Sequence, residues 1–282
     1  PEDVVVYMNK DRYIKSIPIK TYRRNKEQVI NLFKTTTMDM AMLFTNMGRM
    51  FRVKLNSIKT CSMNEKGTAV GSIIQLEPNE YVLNIVPNTA QQDFILFTTK
   101  NGIIKKTKLK DYISNTQNLR GIKAMNIKDD DELLSVSLGY DTDNIILITN
   151  NGYSIRFAAD DINAQGKTAG GVKGITLNDS DYVVSTILCN EEDPIFILEQ
   201  NGYGKIITNK NFQSQGRGGK GQKIKTDSGV LTAISVKMTD ELYLVHPSNN
   251  NSSIKLSKLS FSTKNDISKK LSSKIVLDVY TL

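Results

Sequence analysis

The sequence predicts an all-β protein, a propeller-like ring of six blades with about four short strands each. Three observations carry this. An apolar run, a turn containing Asn or Gly, and a second run bearing Lys or Arg recur five times, followed by a degraded sixth copy. The turn glycines Gly48, Gly102, Gly152 and Gly202 lie 54, 50 and 50 residues apart. A fixed period of this size marks a radial or solenoid array rather than one irregular domain. Helical periodicity is weak throughout, with only Asp111-Tyr112-Ile113 and Asp160-Asp161-Ile162 reading as single turns.

The first repeat opens with Val4-Val5-Val6-Tyr7 and returns through Asp11-Arg12 into Tyr13-Ile14-Lys15. The second runs Met42-Leu43-Phe44-Thr45, turns at Asn46-Met47-Gly48 and returns through Phe51-Arg52. The third pairs Ile95-Leu96-Phe97 with Ile103-Ile104-Lys105-Lys106 across Asn101-Gly102. The fourth pairs Ile145 to Ile148 with Ile155-Arg156 across Asn151-Gly152, and the fifth pairs Ile195 to Leu198 with Tyr203-Gly204-Lys205 across Asn201-Gly202. The sixth keeps Leu242-Tyr243-Leu244-Val245 and Ser253-Ile254-Lys255, with Asn249-Asn250-Asn251 in its turn. Asn-Gly between two β-rich runs predicts a tight type I′ hairpin. After each hairpin come a polar, Gly-containing segment, an acidic turn and a further strand, as in Asp131-Glu132-Leu133-Leu134 and Asp181-Tyr182-Val183-Val184. The blades fall at about 3–38, 39–90, 91–140, 141–191, 192–238 and 239–282, within one domain over 1–282.

Cys61 and Cys189 are too few and too unpatterned for a disulfide framework or a zinc site, which points to a reducing cytoplasm. No apolar run is long enough to span a membrane, Pro1-Glu2-Asp3 does not open a signal peptide, and Pro1 in place of Met predicts a fragment of a longer chain. His246 is the only histidine, so a Ser-His-Asp triad has one possible base, and it abuts Pro247 in the degraded repeat. There is no phosphate loop, nucleophile elbow or paired-Cys spacing, so the chain is expected to be non-catalytic and to hold no metal or cofactor. Asp129, Asp130, Asp131, Asp179 and Asp181 recur at one phase, directly before a strand, and read as solvated turns rather than as a cation site.

The 37 basic against 29 acidic side chains give a net charge of +8, an argument for a polyanionic partner. Double-stranded DNA is the leading one. Gln215-Gly216-Arg217-Gly218-Gly219-Lys220-Gly221, followed by Lys223, removes side-chain bulk so that backbone N–H groups approach phosphate, with Arg217 and Lys220 adding charge. Weaker versions at the same phase carry Lys167 and Lys173 in 165–174, and Arg120 and Lys123 in 118–123. Lys15, Arg52, Lys105, Lys106, Arg156 and Lys205 recur in the second hairpin strand. Together these cations predict a curved positive track that meets phosphates without reading bases. The competing class is a protein-interaction propeller, whose affinity is insensitive to salt.

The repeat, with its Asn201-to-Lys205 turn and the Gln215-to-Gly221 element, resembles the C-terminal domain of the A subunit of bacterial type IIA topoisomerases, DNA gyrase and topoisomerase IV. The resemblance covers essentially the whole chain. It implies a six-bladed β-pinwheel whose neighbouring blades exchange strands and around whose basic rim DNA bends. It also implies that the cleaving tyrosine, ATP and Mg²⁺ sit on other parts of the enzyme, and that the partners are the A-subunit N-terminal core and the B subunit. Gyrases carry a Gln-Arg-Arg-Gly-Gly-Lys-Gly-like box in the first blade. Here Tyr22-Arg23-Arg24-Asn25-Lys26-Glu27-Gln28 contains no glycine. Asp11 and Gly48 are 37 residues apart against about 50 later, so some 13 residues are missing from that segment. Within the family this loss implies topoisomerase IV, with gyrase-type wrapping the alternative.

Overall fold

The computed structural model describes residues 1–190, 193–247 and 251–281; Asn249 and Asn250 of the sixth turn lie outside them. The described residues form six β-sheets and six single turns of 3-10 helix, with no α-helix. None of their helices is long and apolar enough to cross a membrane. They fall into two compact units, one of Pro1–Phe97, Lys105–Leu138 and Ala164–Gly171, the other of Thr98–Ile104, Gly139–Asn163 and Val172–Leu282.

The first repeat supplies β1 (Asp3–Asn9), β2 (Tyr13–Pro18) and β3 (Val29–Thr36). The second supplies β4 (Met40–Thr45), β5 (Arg49–Lys54), β6 (Thr68–Ala69) and β7 (Val82–Pro87). The third gives β8 (Phe94–Thr99), β9 (Ile103–Lys108), β10 (Asn118–Lys123) and β11 (Leu133–Gly139). The fourth gives β12 (Asn144–Thr149), β13 (Tyr153–Ala158), β14 (Val172–Lys173) and β15 (Val183–Cys189). The fifth gives β16 (Ile195–Glu199), β17 (Tyr203–Ile207), β18 (Gln222–Lys223) and β19 (Val230–Ser235). The sixth gives β20 (Glu241–Val245), β21 (Ser252–Lys255), β22 (Phe261–Ser262), β23 (Lys269–Lys270) and β24 (Asp278–Thr281).

In every repeat the first strand lies between the second and the last. These central strands read as unbroken apolar runs, not as alternating ones, because both faces are covered. Val4, Val6 and Met8 of β1 pack with Ala41 and Leu43 of β4, and Ile146 and Ile148 of β12 pack with Ile195 and Ile197 of β16. The fourth strand of each of the first five sheets comes from the following repeat. β6 pairs with β2, β10 with β5, β14 with β9, β18 with β13, and β22 and β23 with β17. Six blades of mainly four strands, with exchange between neighbours, make this the propeller class that the period predicts.

The sixth sheet, β21-β20-β24, has three strands among the described residues. The first repeat, for its part, forms no strand between β2 and β3. This is where the sequence is some 13 residues short. β21 is correspondingly exposed, whereas its five counterparts are mainly buried.

The hairpins depart from the type I′ expectation. Gly102 donates its N–H to Thr99 O at 3.1 Å and has φ +78°, while Asn101 keeps an ordinary negative φ. Gly48, Gly152 and Gly202 repeat this, each accepted by the residue three back. One left-handed residue after an i→i+3 turn is the three-residue connection with a G1 bulge, not a two-residue turn with both centres left-handed. Arg12 takes the position in the first repeat at φ 61°.

The acidic turns do structural work beyond meeting solvent. Asp181 is buried, and its Oδ1 accepts the N–H groups of Asn151 and Tyr182, each at 2.9 Å, tying the turn to its own hairpin. Glu80 does the same for Thr45 and Arg49 at 2.6 Å each. Among the described residues no three His, Cys, Asp or Glu side chains converge as metal ligands. His246 is buried between Ile275 O and Ser252 Oγ, at 2.7 and 2.8 Å, and both cysteines are buried free thiols.

Candidate nucleic-acid interface

The thirteen cations expected on one track separate into two groups. Arg120, Lys123, Lys167, Lys173, Arg217, Lys220 and Lys223 are exposed on the segments that lead into or form the donated strands. The hairpin-strand cations are not: Lys15, Lys105, Lys106, Arg156 and Lys205 are all buried, and Arg52 is half-buried. This corrects the expectation that they line a rim facing phosphate. Their repeated phase reflects a repeated internal job.

That job is to hold carbonyl groups of the next repeat. Lys15 Nζ donates to Met63 O at 3.2 Å. Arg52 donates to Thr116 O at 2.9 Å and Tyr112 O at 3.2 Å. Lys105 Nζ reaches Gly166 O at 3.4 Å and Lys167 O at 2.5 Å, as well as Ala124 O and the Tyr112 hydroxyl. Arg156 donates to Asn209 O and Phe212 O, both at 3.3 Å. Lys205 donates to Asp266 O at 2.8 Å, Lys264 O at 3.4 Å and Lys225 O at 2.7 Å. Lys106 lies 4.9 Å over the Phe94 ring, and its carbonyl accepts Gln165 N–H at 2.8 Å. Lys15, Lys105 and Lys205 fall three residues after the left-handed turn residue of their hairpin, and Arg52, Lys106 and Arg156 four after it; where a 3-10 turn follows, these are four and three residues before it. In the sixth repeat these two sites are Ser252 and Ser253. Among the described residues, the one repeat that receives no strand thus carries no cation at either position.

A buried cation needs compensation. For Lys15 part of it is Glu27, whose carboxylate accepts Lys15 Nζ at 3.1 Å, Tyr7 OH at 2.7 Å and Asn9 Nδ2 at 2.9 Å. Burial raises the Glu27 pKa, but the hydrogen bonds from Asn9, Tyr7 and Lys15 outweigh it and leave the group below its ordinary value. In the third and fifth repeats the same place is filled by the carbonyls of Ala124 and Lys225, from the segment that the first repeat lacks. Glu27 therefore offsets the deletion.

Lys105 has carbonyl and phenol oxygens around it but no carboxylate among its hydrogen-bond partners, and burial pushes its pKa down to about 7. The unfolded chain then holds a proton that the folded chain has released between about pH 7 and the ordinary value of 10.5, so this group makes stability rise with pH across that window. Urea midpoints of the wild type and Lys105→Met, compared at pH 7 and pH 9.5, are expected to diverge in favour of the wild type at the higher pH. A constant difference would mean that the carbonyl cage keeps Lys105 fully charged.

The glycine-rich segment 215–221 begins where the Gln215 N–H meets Arg156 O at 2.8 Å. Gly218 N–H donates to Gly174 O at 2.8 Å, Gly219 O accepts Thr176 N–H at 2.9 Å, and the Arg217 guanidinium caps Lys173 O at 2.7 Å. Lys220 is exposed beside them, and Lys223 lies 4.7 Å over the Tyr153 ring while donating to Asn151 O. Gly218 N–H is thus spent on the protein, and Gly216 stands in open space. Arg217 keeps donors to spare, since a guanidinium carries five N–H groups and the bond to Lys173 O takes one of them.

The sequence reading missed the lysines of the sixth repeat that flank this segment. Lys264 Nζ is hydrogen-bonded to Gln222 Oε1, its carbonyl accepts Lys225 N–H at 2.8 Å, and exposed Lys269 and Lys270 pair with Gly204 and Tyr203. Three lysines within seven residues at the box phase were the available signal. At the turn end of the second and third repeats, Asp129, Asp131 and Glu132 outnumber Lys128 in the lining of a cavity of about 560 Å³, an unfavourable surface for phosphate.

Comparison with known proteins agrees with this architecture. A family model described as the DNA gyrase C-terminal domain, a β-propeller, matches residues 39–88, 93–138, 143–190 and 196–236. The DNA gyrase A subunit of Clostridium acetobutylicum is 35% identical over 162 residues, covering 51% of this chain and 19% of that protein. Its Streptococcus pneumoniae counterpart is 35% identical over 118 residues, covering 41% of this chain and 14% of that protein. The chain therefore spans about a fifth or less of the length of these relatives. The crystal structure of a topoisomerase IV C-terminal domain is similar in fold with a TM-score of 0.88, over 100% of this chain and 93% of that one, at 24% identity. A DNA gyrase A C-terminal domain gives 0.72 over 99% of each chain at 20% identity.

Proposed function

The chain belongs to the family of DNA gyrase C-terminal β-propeller domains, and from that premise we propose that it binds duplex DNA without sequence specificity and bends it. The observation that carries the proposal is the exposed cationic segment of the fifth repeat, Arg217 and Lys220 with Lys223 beside them, on a chain of net charge +8. Arg and Lys on an exposed strand-edge segment neutralise phosphates and release counterions, and nothing there is shaped to enter a groove. In the cell the domain presents DNA to a strand-passage core, formed by the B subunit together with the rest of the A subunit, in the cytoplasm. ATP, Mg²⁺ and the cleaving tyrosine belong to those other parts.

Within the family we assign it to the topoisomerase IV type, which favours decatenation and relaxation. The support is the glycine-free, shortened first-repeat segment and a sixth sheet of three strands among the described residues. Gyrase-type wrapping is the second reading, favoured by the 35% identity to relatives named as the A subunit of DNA gyrase. A topological footprint separates them: nicked circular plasmid is incubated with the chain, sealed with ligase, freed of protein and resolved into topoisomers. Binding without a shift in linking number supports planar bending of the topoisomerase IV type. A shift that grows with protein supports chiral wrapping. Absence of binding at low salt removes the DNA reading in favour of a protein-interaction propeller.

A further inference from the structure

We infer that the buried Arg156 and Lys205 are positioning residues for duplex binding, fixing the main chain on both sides of segment 215–221 so that Arg217 and Lys220 meet phosphate from a set backbone. The inference rests on the DNA reading above. Neither residue can touch DNA itself, since Arg156 is 8% exposed and Lys205 3%.

Arg156 holds the entry to the segment in two ways. Its guanidinium, oriented by Asn144 Oδ1 at 3.2 Å, grips Asn209 O and Phe212 O, and its own carbonyl accepts Gln215 N–H at 2.8 Å. A parallel bridge joins Arg156 to Ser214. Lys205 holds the exit, with Nζ on Lys225 O at 2.7 Å and on Asp266 O at 2.8 Å. In a planar trans peptide the N–H points opposite to the C=O. Drawing the Phe212 and Lys225 carbonyls inward therefore turns the N–H groups of Gln213 and Thr226 away from the cation. Each clasp thus fixes a peptide's orientation as well as its place.

The rest of the chain argues that the clasps serve the incoming segment rather than the hairpin that carries them. Lys105 holds Gly166 and Lys167 in the weaker glycine-rich segment by the same geometry, and Gln165 N–H is taken by Lys106 O as Gln215 N–H is by Arg156 O. At β21, where no segment arrives among the described residues, both clasp positions are serine, although the hairpin there still forms.

The test is a double-mutant cycle on the 282-residue chain, read as affinity for a 40-base-pair duplex across a salt series. Lys205→Met keeps the length of the side chain and removes its charge. In the wild-type background it is expected to weaken binding roughly three- to tenfold and to flatten the salt slope by about one phosphate contact. In an Arg217→Ala/Lys220→Ala background it is expected to have no further effect, because the groups it positions are gone. An equal loss in both backgrounds, or no loss with the sheets intact by circular dichroism, overturns the inference. Should Lys205→Met fail to fold, Arg156→Lys, which keeps charge but loses the fork, runs through the same cycle with the same outcomes. A wild-type control that binds no duplex overturns the DNA reading itself, and is told apart by needing no variant.

Discussion

Gly221→Ala is expected to destabilise the protein by about 2–4 kcal/mol, among the largest single-residue effects on its stability. Gly221 sits at φ +74°, a left-handed conformation that a Cβ disfavours, and that Cβ would stand 2.5 Å from Ser154 O. The obstacle is backbone of a strand buried in the sheet, so it cannot swing aside as a flexible side chain can. β13 and the segment entering β18 would have to part, taking the exchanged pairing of Tyr153 with Lys223 and Ser154 with Gln222 with them. Gly216→Ala, five residues earlier in the same glycine-rich run, meets nothing within 4 Å and lacks a positive φ. Its expected effect is within about 0.5 kcal/mol. Urea denaturation of the two variants side by side checks both. Equal losses would mean that the left-handed conformation and the close approach to Ser154 O do not set the cost at Gly221.

Arg217→Ala/Lys220→Ala is expected to act in the opposite way, on affinity and hardly on stability. Both side chains are exposed, and Arg217 is tied to the protein by a single hydrogen bond to Lys173 O at 2.7 Å. Removing two phosphate contacts should reduce the slope of log affinity against log salt by about 1.8 and weaken duplex binding roughly ten- to fiftyfold near 0.1 M salt. The thermal midpoint should stay close to wild type. An unchanged slope would move the DNA path away from the fifth repeat, to the exposed Arg120 and Lys123 or to Lys167 and Lys173.

The fold was legible because the period is long, regular and punctuated by glycine, and because central strands buried on both faces read as apolar runs such as Ile145 to Ile148. The strand exchange itself was not in the pattern. β6, β14 and β18 are two-residue strands inside polar segments, too short for any periodicity to register. The site was legible only in part, and Lys105 shows why. A cation repeating at one phase reveals a repeated constraint, but the period is silent on whether the constraint is a ligand or a neighbouring carbonyl. The local context did hold the answer: Ile14-Lys15, Ile104-Lys105 and Lys205-Ile206 place each lysine beside an isoleucine of the core. Arg217 and Lys220 lie between glycines with no apolar neighbour, and they stayed outside. The hairpin turns were misjudged for a related reason, since Asn-Gly fits two turn types and the threonine two residues before it, Thr99 or Thr149, is what anchors the longer one through its hydroxyl at 3.1 Å.

The most direct measurement is the affinity of the 282-residue chain for two unrelated 40-base-pair duplexes between 50 and 300 mM salt. Binding through exposed cations to phosphate predicts a steep linear fall of log affinity with log salt, about 0.9 for each contact, and the same line for both sequences. A flat line, or a strong preference for one sequence, would contradict it.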